Sequence, residues 1–157
     1  LEFRRVLFRS AGVELVTTTL NGPLCGRVQN WDDHAVNHNV FEIMKLRAPL
    51  LDQAVAALVE DLFARGLDRR VMVIVTGEFG RTPKISYAAS TGEGRGSAAT
   101  GTTQPGRDHW PSATSLLFCG GGTPPGQVIG ATDSRGEQVI DRRVGVHDFL
   151  EIGRAHV

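Results

Sequence analysis

The sequence predicts an α/β protein built around a mostly parallel sheet, and two observations carry that prediction. The run Met72–Val75 is apolar and free of charge, which is typical of a strand buried on both faces of a parallel sheet. A helical pattern precedes it, with apolar residues at three- and four-residue steps at Leu51, Ala54, Val55, Leu58 and Leu62. A helix that leads into a buried strand, with a parallel partner expected earlier in the chain, follows the βαβ pattern.

The first half of the chain supplies the elements around that helix. Ala11–Leu20 suits a short strand, and the polar segment Asn30–Asn39 is too rich in turn-forming and ionisable residues to be core. From Val40 the pattern becomes helical, with Pro49 at a point where a helix restarts or begins its first turn. Gly66 then predicts the end of the helix.

The second half begins with a long glycine-rich segment. Lys84–Arg107 carries five glycines among Ser, Thr and Ala, and a loop of that length is predicted to be a mobile lid or disordered. Ser115–Cys119 predicts a second buried strand. A small C-terminal antiparallel hairpin is predicted from Gln127–Gly130, a turn at Asp133–Gly136 and Gln138–Ile140.

The DNA sequences that can encode the two ends of the chain share one stretch, in opposite orientations. Residues 1–10 can be back-translated as CTGGAGTTCAGACGTGTGCTCTTCCGATCT, and residues 152–157 as ATCGGAAGAGCACACGTC, which is the reverse complement of part of the first string. This shared DNA stretch resembles a sequencing-library adapter. We therefore expect residues 1–10 and 151–157 to be adapter-derived and residues 11–150 to be native, and we exclude the ends from fold reasoning.

Composition narrows the class of function. Seventeen Lys and Arg balance seventeen Asp and Glu, and the sequence has no basic stripe, which argues against a nucleic-acid partner. No apolar run is long enough to predict a membrane span. Because the chain begins with Leu1 rather than methionine, the lack of a signal peptide is uninformative.

Three loops next to predicted strands gather residues that can bind metal ions. The first holds Asp32, Asp33 and His34 with His38, the second holds Glu78 and Arg81, and the third holds Arg107, Asp108 and His109. Carboxylate oxygens and imidazole nitrogens suit zinc, manganese or a similar divalent ion. Asp32 and His34 are two residues apart, so an extended backbone places both on one face.

Each of these residues also has an ordinary structural interpretation. Asp32 and His34 could belong to a capped turn, and Glu78 could cap the turn that follows its strand. Arg81 could pair with Asp108 beside a site rather than in it. His109, next to a tryptophan, could be a packed core histidine.

The order of these motifs resembles the bacterial domain of unknown function 1501 family. The resemblance rests on Trp31–His34, Leu58–Gly66, Gly77–Pro83, Gly106–Trp110 and Gly120–Asp133. That family is grouped with the alkaline phosphatase and sulfatase superfamily of metal-dependent enzymes acting on phosphate and sulfate esters. The resemblance implies that residues 11–150 are the C-terminal part of an alkaline phosphatase-like domain, a partial α/β/α sandwich.

The resemblance also implies roles for individual residues. Asp32 and His34 would bind one metal ion (zinc, manganese or calcium), His109 would join them, and Glu78 would stand where phosphatases place an Asp-His pair for a second metal. Phe79 departs from that pattern, so one metal is the expectation. Arg81 or Arg107 would hold a non-bridging oxygen of the ester. The nucleophile would lie in an N-terminal half outside this chain.

Two functions therefore remain open. The first is a metal-dependent hydrolase of small-molecule or polymeric phosphate or sulfate esters, inactive as this part alone. The alternative is a non-catalytic binding or surface-assembly module, which the phenylalanine at position 79 favours. The family resemblance also suggests export to the periplasm or cell surface.

Overall fold

A computed structural model describes residues 14–21, 31–92 and 94–154 of the 157-residue chain. The chain divides into two compact units. In the described part of the smaller unit, residues 14–20 have no regular secondary structure, and helix α2 spans Val146–Arg154. The backbone N–H of Gly145 donates to the Asp148 carboxylate at 2.7 Å, which caps the start of that helix.

Helix α1, Val40–Ala64, is the longest element of the larger unit. Asn39 caps its start by accepting a hydrogen bond from the N–H of Phe41 at 3.0 Å. Its end has the paired bonds of a Schellman motif: Gly66 N–H donates to the Phe63 carbonyl, and Leu67 N–H donates to the Leu62 carbonyl. Gly66 has a φ of +62°, the left-handed conformation that glycine adopts without strain.

The strands of this unit form four two-stranded antiparallel sheets among the described residues. Strands β1 and β6 pair, as do β2 with β5, β3 with β4, and β7 with β8. Their bounds are β1 Met72–Val75, β2 Gly80–Arg81, β3 Ser86–Ala89, β4 Thr103–Gly106, β5 His109–Trp110, β6 Leu117–Gly120, β7 Ala131–Thr132 and β8 Val139–Asp141. The hairpin near the C-terminus therefore has its first strand at 131–132 rather than at 127–130.

The prediction of a mostly parallel sheet in a partial α/β/α sandwich is wrong. The apolar run Met72–Val75 pairs with β6 in antiparallel register, Met72 opposite Gly120 and Val75 opposite Leu117. Only Val73 of that strand is buried, at 3% exposure, whereas Ile74 is 37% exposed. A short apolar run carries no information about strand direction, which the partner strand decides. The predicted strand at 11–20 is absent over its described part, residues 14–20, and residues 11–13 lie outside the described residues.

The glycine-rich segment Lys84–Arg107 contains a hairpin rather than one continuous loop. Its strands β3 and β4 pair from Ser86 opposite Gly106 to Ala89 opposite Thr103. Gln104 of β4 is 1% exposed, and its amide accepts from the N–H of Ala98 and donates to the carbonyl of Ala35. The segment is therefore hydrogen-bonded to the polar loop before α1, and its mobility stays a prediction.

The core of the larger unit is small. Its buried apolar side chains among the described residues include Ala35, Ile43, Leu62 and Val73. Arg47 of α1 is buried with them at 0% exposure and binds Asp33, so the core also holds an ion pair. Neither described helix is both long and apolar enough to cross a membrane.

Candidate metal centre

The pairing of β2 with β5 sets two of the candidate residues side by side. Arg81 lies directly opposite His109, and Gly80 lies opposite Trp110. Residues opposite each other in an antiparallel pair have neighbouring side chains. Gly80 permits the close approach of the chain that follows β5, since a Cβ atom there would lie 1.9 Å from the carbonyl oxygen of Ala113.

The loop before α1 brings two further candidates to the same place. Alternation along this irregular segment sends Asp32 and His34 to one side, where the Asp32 Oδ1 to His34 Nε2 distance is 3.0 Å. Asp33, between them, turns inward and is 4% exposed. Its carboxylate lies 2.7 Å from Nη1 of Arg47 and 2.6 Å from Nδ1 of His38. This buried network anchors the loop to α1.

Asp32, His34 and His109 converge on one point. Asp32 Oδ1 lies 2.7 Å from His109 Nε2, and the two Nε2 atoms of His34 and His109 are 3.2 Å apart. These three residues form the one group of potential metal ligands identified among residues 14–21, 31–92 and 94–154. A tetrahedral ion with ligand atoms at about 2.0–2.1 Å holds those atoms about 3.3–3.4 Å apart. The sides of the observed triangle, 2.7, 3.0 and 3.2 Å, are somewhat shorter, and the group is compatible with a bound divalent ion.

A hydrogen bond to Asp108 fixes the tautomer and the ring orientation of His34. Oδ1 of Asp108 lies 3.0 Å from His34 Nδ1. The hydrogen bond with His34 is the largest cause that lowers the pKa of Asp108 below its usual 3.8, and a hydrogen bond with Ser86 is the next. This carboxylate is therefore ionised at neutral pH and can only accept hydrogen bonds. Nδ1 of His34 therefore carries a proton, and Nε2 is left to face Asp32. This is the carboxylate–histidine arrangement that orients metal ligands.

The triangle brings an ionised carboxylate close to two imidazole nitrogens. The hydrogen bond with His109 is the largest cause that lowers the pKa of Asp32; burial opposes it, and His34 and Arg81 add to it. Asp32 is therefore ionised, and a lone pair on His34 Nε2 would face a carboxylate oxygen at 3.0 Å. Nη1 of Arg81 lies 3.5 Å from His34 Nε2 and can donate to that lone pair, and Nε2 of His109 can donate to Asp32, so these groups can be satisfied without an ion. A divalent ion shared by the three ligand atoms is also compatible with the arrangement.

Arg81 lies at the edge of the cluster and is tied to both sides of it. Its Nη2 donates to Asp32 Oδ1 at 3.2 Å and to the carbonyl of Trp31 at 2.7 Å. Its Nη1 donates to the carbonyl of Arg107 at 3.2 Å. The carboxylate that it contacts is thus Asp32 and not Asp108, the partner expected if Arg81 lay outside the site.

The family model described as "Protein of unknown function (DUF1501)" matches residues 4–154 of the chain. The chain belongs to the DUF1501 family. No curated protein and no solved structure matches it. These comparisons give the family and do not extend to the alkaline phosphatase and sulfatase superfamily.

The remaining predicted site residues of the DUF1501 chain lie around the triangle rather than in it. Glu78 is exposed and is outside the ligand group found among the described residues. Its neighbour Phe79 packs against His109, with ring centroids 4.2 Å apart. Arg107 donates from Nε to the carbonyl of Thr82 and from Nη2 to the carbonyl of Arg81 at 3.1 Å. His109 is 45% exposed in its side chain, so it is not a packed core histidine.

Two contacts hold the ligand-bearing segments of the DUF1501 chain together, and a further pair of hydrogen bonds ties the segment before His109 to the residue after β2. Gln104 of β4 donates to the carbonyl of Ala35 at 2.7 Å. Gly106 lies so close to the same loop that a Cβ atom there would be 2.2 Å from the backbone nitrogen of Ala35. Thr82 N–H donates to the carbonyl of Asp108, and the Thr82 hydroxyl accepts from the N–H of Asp108. Sequence patterns show none of these long-range partners: Asp108 was already a candidate in the third loop, but its contact with His34 could not be read from the sequence.

Proposed function

We propose that the DUF1501 chain binds one divalent metal ion through Asp32, His34 and His109, and that this centre serves hydrolysis of phosphate or sulfate esters in the intact protein. The observation that carries the proposal is the triangle of ligand atoms with sides of 2.7, 3.0 and 3.2 Å. A carboxylate and two imidazoles suit zinc and manganese.

The charges around the triangle favour an anionic substrate. Asp32 and Asp108 contribute two negative charges, and Arg81 contributes one positive charge, so the cluster with neutral histidines has a net charge of −1. Binding a divalent cation would change that sign to +1. Such a site attracts the oxyanion of a phosphate or sulfate ester and disfavours neutral substrates.

Each residue then has a separate role. A bound divalent ion would polarise an ester oxygen as a Lewis acid. Arg81, whose guanidinium already contacts Asp32, is placed to hold a non-bridging oxygen of the ester. Asp108 positions His34 by accepting from its Nδ1. Glu78, one residue from the phenylalanine that packs on His109, is a candidate for a further ligand, and the nucleophile is proposed to lie outside this chain.

A second candidate function is a metal-stabilised binding module without turnover. The contact between Phe79 and His109 favours it. A phenylalanine cannot bind a metal ion, and it occupies the position after Glu78 where the phosphatase pattern would place a ligand for a second metal. Turnover separates the two candidates. Metal binding with ester hydrolysis by the intact protein supports the enzyme, whereas metal binding with no hydrolysis of either ester class supports the module.

Thermal unfolding of the chain with and without zinc or manganese tests the metal centre itself. At an ion concentration 100 times the Kd, binding adds about 2.7 kcal/mol to stability. For a chain of this size that raises the Tm by about 5–11 °C. The shift should be lost in His34→Ala and His109→Ala and kept in His147→Ala, since His147 lies on α2 and outside the ligand group. Equal shifts in all four proteins, or none in the wild type, would contradict the proposal.

A further inference from the structure

A pocket of about 260 Å³ is lined in part by Arg81, and the three candidate metal ligands are not among its lining residues. Small residues form part of its wall: Gly80, Pro83, Ala113 and Gly136. Its polar lining consists of two arginines, Arg81 and Arg107, and three hydroxyl residues, Thr114, Ser115 and Thr132. No carboxylate is among the described residues that line it. The lining thus combines hydrogen-bond donors with positive charge.

Arg107 is the decisive member of this lining. It is half-buried, and it donates hydrogen bonds to the neutral carbonyls of Thr82 and Arg81. No carboxylate of the described residues lies within salt-bridge distance of it, in contrast to Arg47, Arg65, Arg81 and Arg142. Withdrawing a guanidinium from water without a counter-ion is unfavourable. An anion in the pocket would supply that counter-ion.

We propose that this pocket binds an oxyanion group, a phosphate or sulfate, carried by the substrate in addition to the ester at the metal centre. This inference rests on the proposed function for its link to the metal, and Arg81 provides the connection because it lines the pocket and contacts Asp32 at 3.2 Å. Arginine recognises such groups through its planar fork of donors. The substrate class is then an ester with a second anionic group.

The test is a titration of the full chain with inorganic phosphate after metal removal, followed by calorimetry or by 31P NMR. We expect binding to the wild type that is at least about tenfold weaker in Arg107→Gln, because a charge-assisted hydrogen bond is lost. Thr132→Val removes one lining hydroxyl, on β7, and should weaken binding about threefold or more without touching the Arg107 contacts. Arg65→Gln, an equal charge change at the end of α1, should bind phosphate as the wild type does.

The outcomes separate this pocket from the metal centre. Phosphate binding to the metal-free chain that both pocket variants weaken supports the inference, even if no metal ever binds. Failure of the wild type to bind phosphate, or equal binding in wild type, Arg107→Gln and Thr132→Val, overturns it and leaves the metal centre intact. Loss of the zinc-dependent Tm shift alone overturns the proposed metal centre and leaves the pocket.

Discussion

Replacing Gly106 by alanine should damage both the fold and the metal centre. Gly106 ends β4 and lies against the loop that carries Asp32 and His34. A Cβ atom at this position would be 2.2 Å from the nitrogen of Ala35, 2.6 Å from its Cα and 2.7 Å from its Cβ. These are backbone atoms and a β-carbon in a residue that is 4% exposed. The neighbour therefore cannot turn aside as a long surface side chain would.

The size of the effect follows from these distances. Ordinary contact begins near 3.4 Å, so the two segments must separate by about 1.2 Å, the difference between 3.4 and 2.2 Å. Overpacking of this kind costs about 1–3 kcal/mol of unfolding free energy, or about 2–12 °C in Tm for a chain of this length. Because Ala35 follows His34 and Gly106 precedes the Arg107–His109 segment, the separation also opens the ligand triangle. A site needs its ligands within about 0.5 Å of their working positions.

Urea unfolding and zinc titration of Gly106→Ala measure both effects. Gly77→Ala is the matched control, since its added Cβ meets nothing nearer than the Phe79 carbonyl oxygen at 3.6 Å, and Gly77 is not in the left-handed region. We expect Gly106→Ala to have a lower urea midpoint and at least about tenfold weaker zinc binding, and Gly77→Ala to resemble the wild type. If Gly106→Ala matches Gly77→Ala in both measurements, the close approach of β4 to the ligand loop is refuted.

Three other predictions concern the same region. Asp108→Asn should keep the fold and weaken zinc binding, measured by calorimetry, about 10- to 100-fold. The control is Asp141→Asn, an exposed carboxylate that pairs with Arg142, and it should bind zinc as the wild type does. Equal zinc affinities in the two variants would refute the orienting role of Asp108. The native pKa values of Asp32 and Asp108 lie below their usual 3.8, so their stabilising contribution is present above that pH and is lost as the pH falls through the lower native values. Urea midpoints of the metal-free chain should therefore fall more below about pH 4 in the wild type than in Asp108→Asn, and parallel curves would count against these pKa shifts. Amides in Lys84–Arg107 should exchange hydrogen faster than those of Val71–Val75, most of all between β3 and β4, and equal protection would exclude a mobile segment.

The parts of the fold that sequence predicted are those fixed by local chemistry. Gly66 predicted the end of α1 because a helix commonly ends with a left-handed residue, and its φ is +62°. The two-residue spacing of Asp32 and His34 predicted a shared face, and their side chains meet at 3.0 Å. Both features depend on residues only a few positions apart.

The parts that sequence could not predict depend on distant partners. The run at β1 looks the same whether its neighbour is parallel or antiparallel, so the pairing with β6 had to come from the structure. The buried contact of Asp33 with Arg47 joins two residues whose separate patterns give no sign of each other. Glu78 had the same kind of sequence support as His109, yet only His109 lies in the ligand triangle, because β5 pairs with β2 at Arg81 and not at Glu78.

The most direct test of the metal centre is anomalous diffraction at the zinc edge from crystals of the chain grown with zinc. The account predicts one strong anomalous peak at bonding distance, about 2.0–2.2 Å, from Asp32 Oδ1, His34 Nε2 and His109 Nε2. An anomalous map without a peak among these three atoms, at a zinc concentration that saturates binding, would contradict it.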